Sequence, residues 1–388
     1  MAADDEYSVP WTSTQGAAGA PPTRTLGFFR ARVALFHLLK SMGVSRGDQV
    51  AVQAFTCVAL AEAILSCGAV PVWIDIEPDT LNMDCGSLKS RLTGRTRAIV
   101  AQHTFGVPAR LNDLVTTSRE NGIPLIEDCC HSFGSKYQGS ELGSFGAAAV
   151  WSYEWGKPVV AGVGGGLVVN DDGLRARVTS AYPSLCRHPP LVREVTLTIQ
   201  SAAHRCTYYP YTYWRVRQMY RWATKLGIVT PSFNPVPAIG CPGPEYGWTL
   251  SRMTRRRLPQ ALMRAKGEVP LRIAQASVYA SGMRPDAACQ VVPPVGSEPV
   301  LSRFPIMVAN KGALLETFAR DSLELADFFN SPVHPVKGDR LATVGYEPRS
   351  CPNAERASGR VVSLPLGTRV SRRFQQLAID LVNAHGRS

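Results

Sequence analysis

Along the chain the spacing of apolar positions switches repeatedly between two periods. Over 29–42 apolar residues recur three and four apart and stop at Gly43, which predicts a helix, and 57–66, 85–92 and 111–121 repeat that spacing. Between them lie short, almost unbroken apolar runs at 49–55, 70–76, 98–102 and 124–127, followed by 147–153 and 166–170. Such runs mark strands buried on both faces. Strand and helix in alternation predict an α/β fold, a doubly wound and mostly parallel sheet covered by helices on both sides. Ligands of such sheets sit beyond the carboxyl ends of the strands, which brings Thr56, Asp75, His103, Asp128 and the stretch after Trp151 to one rim.

After Asp171 the regularity lapses. A Pro-, Tyr- and Arg-rich segment at about 182–248 reads as an irregular insertion in a large domain spanning 26–250. A further pattern begins at Ser251, with a helix from Arg252, a strand at 300–308 and helices at 311–320 and 371–384; it predicts a smaller α+β domain over 251–388. Residues 1–25 are acidic, then rich in Gly, Ala, Pro and Thr, and read as a loose arm without the basic start and apolar core of a signal peptide.

Composition narrows the picture. The chain has 388 residues, 45% hydrophobic and 19% charged, with no apolar run approaching the roughly 18 residues of a membrane span. No transmembrane segment is expected. Ten cysteines are too dilute for a disulfide scaffold and read as reduced thiols of a cytoplasmic protein. A net charge of +12 favours anionic ligands without bearing on the fold.

The stretch IEDCCHSFGS, from Ile126 to Ser135, raises the question of a metal site. Zinc ligands converge from spacings such as C-x-x-C, whereas adjacent cysteines at a strand end point to opposite sides, and no second Cys/His pair with matching spacing follows. Metal is therefore not expected, and Cys129 and Cys130 read as core packing. Asp128, directly after an apolar strand, and Lys157, in WSYEWGKPVVAGVGGG after another, are the rim residues with chemical potential.

These motifs occur in an order that resembles the DegT/StrS family of sugar aminotransferases, fold-type I enzymes dependent on pyridoxal 5'-phosphate (PLP). QAFTCVALAEAI and GAVPVWIDIEP are similar to that family's Thr-aromatic-x-Ala helix and Gly-Ala-x-Pro strand, and TRAIVAQHTFGVPA to its His-x-x-Gly loop. IEDCCHSFGS resembles its Glu-Asp-x-Ala-(Gln/His) segment, WSYEWGK its Ser-Phe-x-x-x-Lys, and CPNAERASGRVVSLPL its C-terminal signature. The resemblance covers roughly 27–175 and 300–388. It implies a seven-stranded, mostly parallel sheet with a small C-terminal α+β domain, and a homodimer whose active site a neighbouring subunit completes.

The resemblance also implies roles. Lys157 would form a Schiff base with the cofactor aldehyde and, as the free amine, relay a proton between substrate and cofactor carbons. Asp128 would hold the proton on the pyridine nitrogen, His131 would bond the phenolic oxygen, and Ser152 the phosphate. At several positions the chain departs from the pattern. The family's Gly-Thr before the first helix is Ala31-Arg32, where Arg32 offers a charged phosphate contact at a helix start. The ring-stacking aromatic is Cys57, the partner-subunit asparagine is Leu250, and the Glu before the Gly pair is Val163. These mark a divergent branch.

The function so implied is transfer of an amino group from glutamate or glutamine to a nucleotide-linked keto sugar. Alternatives are an aminocyclitol or other natural-product ketone, and a catalytically inactive PLP-fold regulatory or binding protein. Aromatics interleaved with arginines at 208–225 suit a helical insertion packed on the domain or a dimer interface. A substrate lid, a membrane surface and a nucleic-acid contact remain open for that segment, although no nucleic-acid partner is expected.

Overall fold

The computed structural model describes residues 8–9, 25–185, 187–230 and 240–386. Most of the expected N-terminal arm, 1–7 and 10–24, lies outside the described residues. The described chain begins with β1 (Ser8–Val9), β2 (Thr25–Phe28) and helix α1 (Ala31–Ser41). Strands β3 (Gln49–Gln53) and β4 (Thr56–Cys57), helix α2 (Val58–Ser66), β5 (Val70–Ile74) and α3 (Cys85–Arg91) follow. Next come β6 (Thr96–Gln102), α4 (Leu111–Asn121), β7 (Leu125–Asp128), a short ribbon of β8 (Lys136–Tyr137) and β9 (Ser140–Glu141), then β10 (Ala148–Ser152) and β11 (Gly165–Val169).

The main sheet has the order β1-β2-β11-β10-β7-β6-β3-β5. Seven of its strands form the expected sheet; the eighth, β1, pairs with β2 at the edge and comes from within the expected arm. From β5 to β10 all neighbours are parallel, and β11 runs antiparallel to both β10 and β2. Side chains alternate faces along each strand. Val50, Val52, Val100, Ile126 and Val150 face one core with α1 and α2, while Ala51, Ile99, Ala101, Leu125 and Ala149 face a second core with α4. Burial on both faces is the reason these strands read as continuous apolar runs. Helix α4 stops where Gly122 takes the left-handed conformation (φ 63°), which closes the helix end at no Cβ cost.

After α5 (Asp172–Leu185), the segment expected to be irregular instead holds two helices, α6 (Leu191–Thr207) and α7 (Tyr213–Lys225). Alternating aromatic and arginine residues conceal an amphipathic helix, because Tyr213 is buried while Arg215 and Arg221 are exposed. Residues 231–239 of that segment lie outside the described residues. Helix α8 (Arg252–Gly282) starts on a Ser251 cap, whose side chain accepts from Thr254 N. It crosses from one core to another: Leu258, Ala261 and Leu262 pack under the main sheet, and Tyr279 packs in a third core.

That third core holds β12 (Cys289–Gln290), β14 (Arg303–Met307) and β16 (Val361–Pro365), an antiparallel sheet covered by α9 (Lys311–Arg320) and α11 (Arg372–His385). β13 (Ser297–Glu298) joins the β8–β9 ribbon. β15 (Val333–His334) pairs in parallel with β4, setting His334 opposite Cys57. Asp75, at the rim, accepts from the backbone N–H groups of Asn353 (3.1 Å) and Ala354 (2.9 Å) at the start of α10 (Pro352–Arg360), so its carboxylate caps a helix. Among the described residues no helix is long and apolar enough to cross a membrane.

Candidate active site

Parallel pairing sets Val150 of β10 opposite Asp128 of β7, so both strands deliver their last residues to the same rim. Asp128 is buried, and its Oδ1 accepts from Cys130 N at 3.0 Å. Ser152 is also buried, with its Oγ accepting from Glu154 N at 3.4 Å. The loop that follows turns at 154–157 through a Lys157 N to Glu154 O hydrogen bond (3.2 Å) and returns as antiparallel β11.

That turn carries Lys157 Nζ to within 2.8 Å of His131 Nε2. Burial first, and the nearby Lys157 charge second, hold the His131 imidazole well below its ordinary pKa. The ring is therefore neutral, Nε2 accepts from Lys157 and the ring proton sits on Nδ1. This Nδ1 is buried and has no hydrogen-bond partner among the described residues. The imidazole lies against Phe105 (ring centroids 6.1 Å apart) and Phe329 (6.2 Å), whose own rings are 6.2 Å apart, so the three rings form one cluster. Phe105 and Phe55 both have left-handed backbone (φ 55° and 59°), a conformation costly for bulky residues and found where a rim loop is held by its surroundings.

The start of α1 meets this loop from the other side. A Cβ on Gly165 would lie 2.3 Å from Ala31 N, so only glycine lets β11 approach the helix start so closely. Gly164 and Gly166 are needed in the same way, against Leu250 Cδ1 and Tyr153 Oη. Arg30 pairs with Glu154 at 2.6 Å, and buried Arg32 pairs with buried Glu62 of α2. Cys57, the cap residue of α2, feels the charges of Lys157 and Arg32, yet burial raises its thiol pKa and keeps it protonated.

The structure therefore brings together Lys157, His131 and Asp128, and places Ser152, Arg32 and Cys57 on the elements around them. The cysteine pair divides. Cys129 packs in the core beneath the sheet, and Cys130 lies beside Asp128; burial holds both thiols well above their ordinary range. Cys129 also lies within 4.8 Å of His103 and Glu127, a grouping with metal-ligand types. The hydrogen bonds of that grouping account for it. Glu127 accepts from the backbone N–H groups of Gly143, Phe145 and Gly146, each at 2.8 Å, and from His103 Nε2 at 3.2 Å, while His103 Nδ1 accepts from Ala109 N.

The model of the DegT/DnrJ/EryC1/StrS aminotransferase family matches residues 26–189. That match covers less than half of the chain, and the segment is similar to this family. L-glutamine:scyllo-inosose aminotransferase of Streptomyces griseus is 39% identical over 155 residues, 39% of this chain and 37% of that protein. GDP-perosamine synthase of Escherichia coli O157:H7 is 35% identical over 145 residues, 37% and 40% of the two chains. The chain thus aligns with well under half the length of these curated relatives. Among solved structures, DesV of S. venezuelae has a TM-score of 0.71 at 22% identity, covering 94% of this chain and 85% of that one. 3-Amino-5-hydroxybenzoic acid synthase has a TM-score of 0.69 at 19% identity, over 93% and 87%. These likenesses give the fold, that of the fold-type I PLP transferases.

The family depends on PLP, and the side chains present fit that group. His131 offers a buried ring nitrogen without a hydrogen-bond partner among the described residues, Asp128 a carboxylate at the same rim, and Lys157 an amine 2.8 Å from His131 Nε2. Residue reasoning missed Phe105, Phe329, Arg30 and Glu154. Phe329 arrives from the loop before β15, remote in sequence, and no local pattern signals it. The Arg30–Glu154 pair was detectable only as two ordinary charges.

Proposed function

We propose that this chain is a PLP-dependent aminotransferase that moves an amino group from glutamate or glutamine onto the carbonyl carbon of a keto sugar, nucleotide-linked. The contact between Lys157 and neutral His131 beside Asp128 carries this reading. The names of the relatives support a polyhydroxylated ring ketone as substrate. GDP-perosamine synthase favours the nucleotide-linked sugar, and the scyllo-inosose enzyme supports a cyclitol as the second reading.

When bound, PLP supplies the electron sink that makes a proton on the substrate carbon removable. The chain's own residues do the rest. Lys157 Nζ takes that proton and returns it, and His131 Nε2, 2.8 Å away, holds the amine in place as it changes charge. Asp128 would hold a proton on the pyridine nitrogen of the bound cofactor, and His131 Nδ1 would donate to its phenolic oxygen. Ser152 and the start of α1, with Arg32 behind it, form the phosphate end of the site. Phe55, Phe105 and Phe329 exclude water from one side of the imidazole. The expected active unit is a homodimer; light scattering of the purified protein should give twice the mass of one chain, and a monomer would overturn this.

The test is a titration of the purified protein with PLP. A visible absorption band that appears in the parent and not in Lys157→Ala, and that bleaches on adding glutamine or glutamate, is the expected result. A protein that remains colourless at saturating PLP would refute the reading. Turnover of a nucleotide-linked ketohexose against scyllo-inosose then separates the two substrate readings.

A further inference from the structure

The helical insertion carries a surface that amino transfer does not use. Between Arg187 and Lys266 the sequence holds thirteen Lys or Arg and two Asp or Glu, while the whole chain has a net charge of +12. Almost all of the positive excess is therefore concentrated in this segment. It is also where apolar side chains stand in water.

Helix α7 has two faces. On the inner one Tyr213 is buried, Trp214 Nε1 donates to Leu323 O at 2.7 Å and Arg217 pairs with Asp327 at 3.0 Å. On the outer one Met219, Trp222 and Leu226, spaced three and four apart, are each more than half exposed, with Arg215, Arg221 and Lys225 exposed beside them. Helix α6 repeats the pattern with Leu191, Val192, Val195 and Ile199, again more than half exposed. The chain after α7 returns to α6, where Arg193 donates to Thr230 Oγ1 at 2.9 Å and Gln200 bonds the Thr230 backbone, so the two helices form one hairpin. Between α6 and the start of α8 runs a groove of ≈ 700 Å³ with Leu191, Val195, Ile199 and Met253 in its walls and Arg252 and Arg256 on its rim. The acid in that lining, Glu194, is occupied in capping α8, accepting from Arg252 N (2.8 Å) and Met253 N (3.3 Å).

An apolar stripe of Trp, Met and Leu flanked by cations is the chemistry that settles at a bilayer interface, where the apolar side chains enter the acyl boundary and the cations meet lipid phosphates. Two other partners fit less well. A second copy packed face to face would set cation against cation, because a two-fold interface pairs a patch with itself. A single-stranded nucleic acid would use the arginines and Trp222 but leave the aliphatic side chains of α6 in water. We propose that the α6–α7 hairpin, with the first turns of α8, docks on the surface of an anionic lipid bilayer. This inference is independent of the amino-transfer reading.

The full chain is sedimented with vesicles of equimolar phosphatidylserine and phosphatidylcholine, and with vesicles of phosphatidylcholine alone. Binding to the first and not the second, weakened by added salt, is expected, and the exposed triple substitution Met219→Ser, Trp222→Ser, Leu226→Ser should reduce it roughly tenfold or more. Retained PLP absorbance and an unchanged melting temperature establish that the variant is folded. Equal binding to both vesicle types, or none to either, overturns the proposal. So does a triple variant that binds vesicles like the parent but falls from dimer to monomer, which makes the face a subunit contact. Tight binding of a fluorescent oligothymidylate without vesicle binding overturns it in favour of nucleic acid.

Discussion

In residues 26–189 each side chain of the candidate site sits at or just past the end of a strand or at a helix start, whereas in the rest of the chain the groups that reach the site come from loops and from helices added to the fold. Asp128 and Ser152 are held by a parallel ladder whose register leaves little freedom. Phe329 comes instead from a loop and His334 from β15, which pairs with β4 in a separate two-stranded sheet, and Trp155 of the Lys157 turn meets His204 of α6 with ring centroids 4.7 Å apart. His204 in turn stacks on Tyr208, whose hydroxyl donates to Glu324. The first half places chemistry, and the second shapes the walls around it. A substitution in one half should therefore not look like a substitution in the other.

The largest contrast is expected at Lys157. Lys157→Ala should cut turnover by about 10⁴-fold or more while leaving the melting temperature near that of the parent, because in the proposed reaction the residue carries the proton and it sits on a half-buried loop. Comparable turnover in the variant would remove the first half's claim on the chemistry. Next in size, Glu62→Gln should leave Arg32 buried without its carboxylate and cost about 3–5 kcal/mol in urea unfolding. A loss below about 1 kcal/mol would mean that Arg32 finds another anion or reaches water.

The walls should respond to pH. Burial lowers the pKa of His334 to about 4 from 6.5, partly offset by Asp327. Between those values the unfolded chain binds a proton that the folded chain does not, so the stability is present above 6.5 and is lost as pH falls towards 4. At about pH 5 the loss is about 2 kcal/mol, visible as a lower melting temperature that His334→Gln should make less pH-dependent. His204, also lowered to about 4 by burial, adds in the same direction. The smallest effect is expected at the tie between α7 and the loop after α9. Trp214→Phe removes one hydrogen bond to Leu323 O and should cost about 1 kcal/mol without changing turnover. A fall in turnover would show that the hairpin acts on the site directly.

The same contrast explains what could be read in advance. Strands β3, β6, β7 and β10 were legible because burial on both faces leaves no polar side to interrupt the run. Lys157, Asp128 and His131 could be singled out because Asp128 and Lys157 follow apolar strands and all three stand in motifs that resemble a known family; the structure sets Lys157 Nζ 2.8 Å from His131 Nε2. Helix α7 falls within the stretch 208–225 read as a helical insertion, but α6 was hidden in a segment read as irregular, because its apolar residues separate into a face only once wound at 3.6 residues per turn. Arg32 was legible as a cation at a helix start, but its pairing with Glu62 depends on how α1 and α2 cross.

By itself the sequence determined the alternation of strands and helices, the rim on which Asp128 and Lys157 fall, and the absence of spacing for a zinc site. Each of these follows from local periodicity or from distances counted along the chain. Tertiary structure alone decided that Cys129 joins the core beside a fully bonded Glu127 and that His131 packs in one cluster with Phe105 and Phe329. It also decided that the insertion touches the Lys157 turn, where His204 of α6 packs on Trp155. Those outcomes join residues up to some two hundred positions apart, and only the packing of separate elements against one another brings such residues into contact.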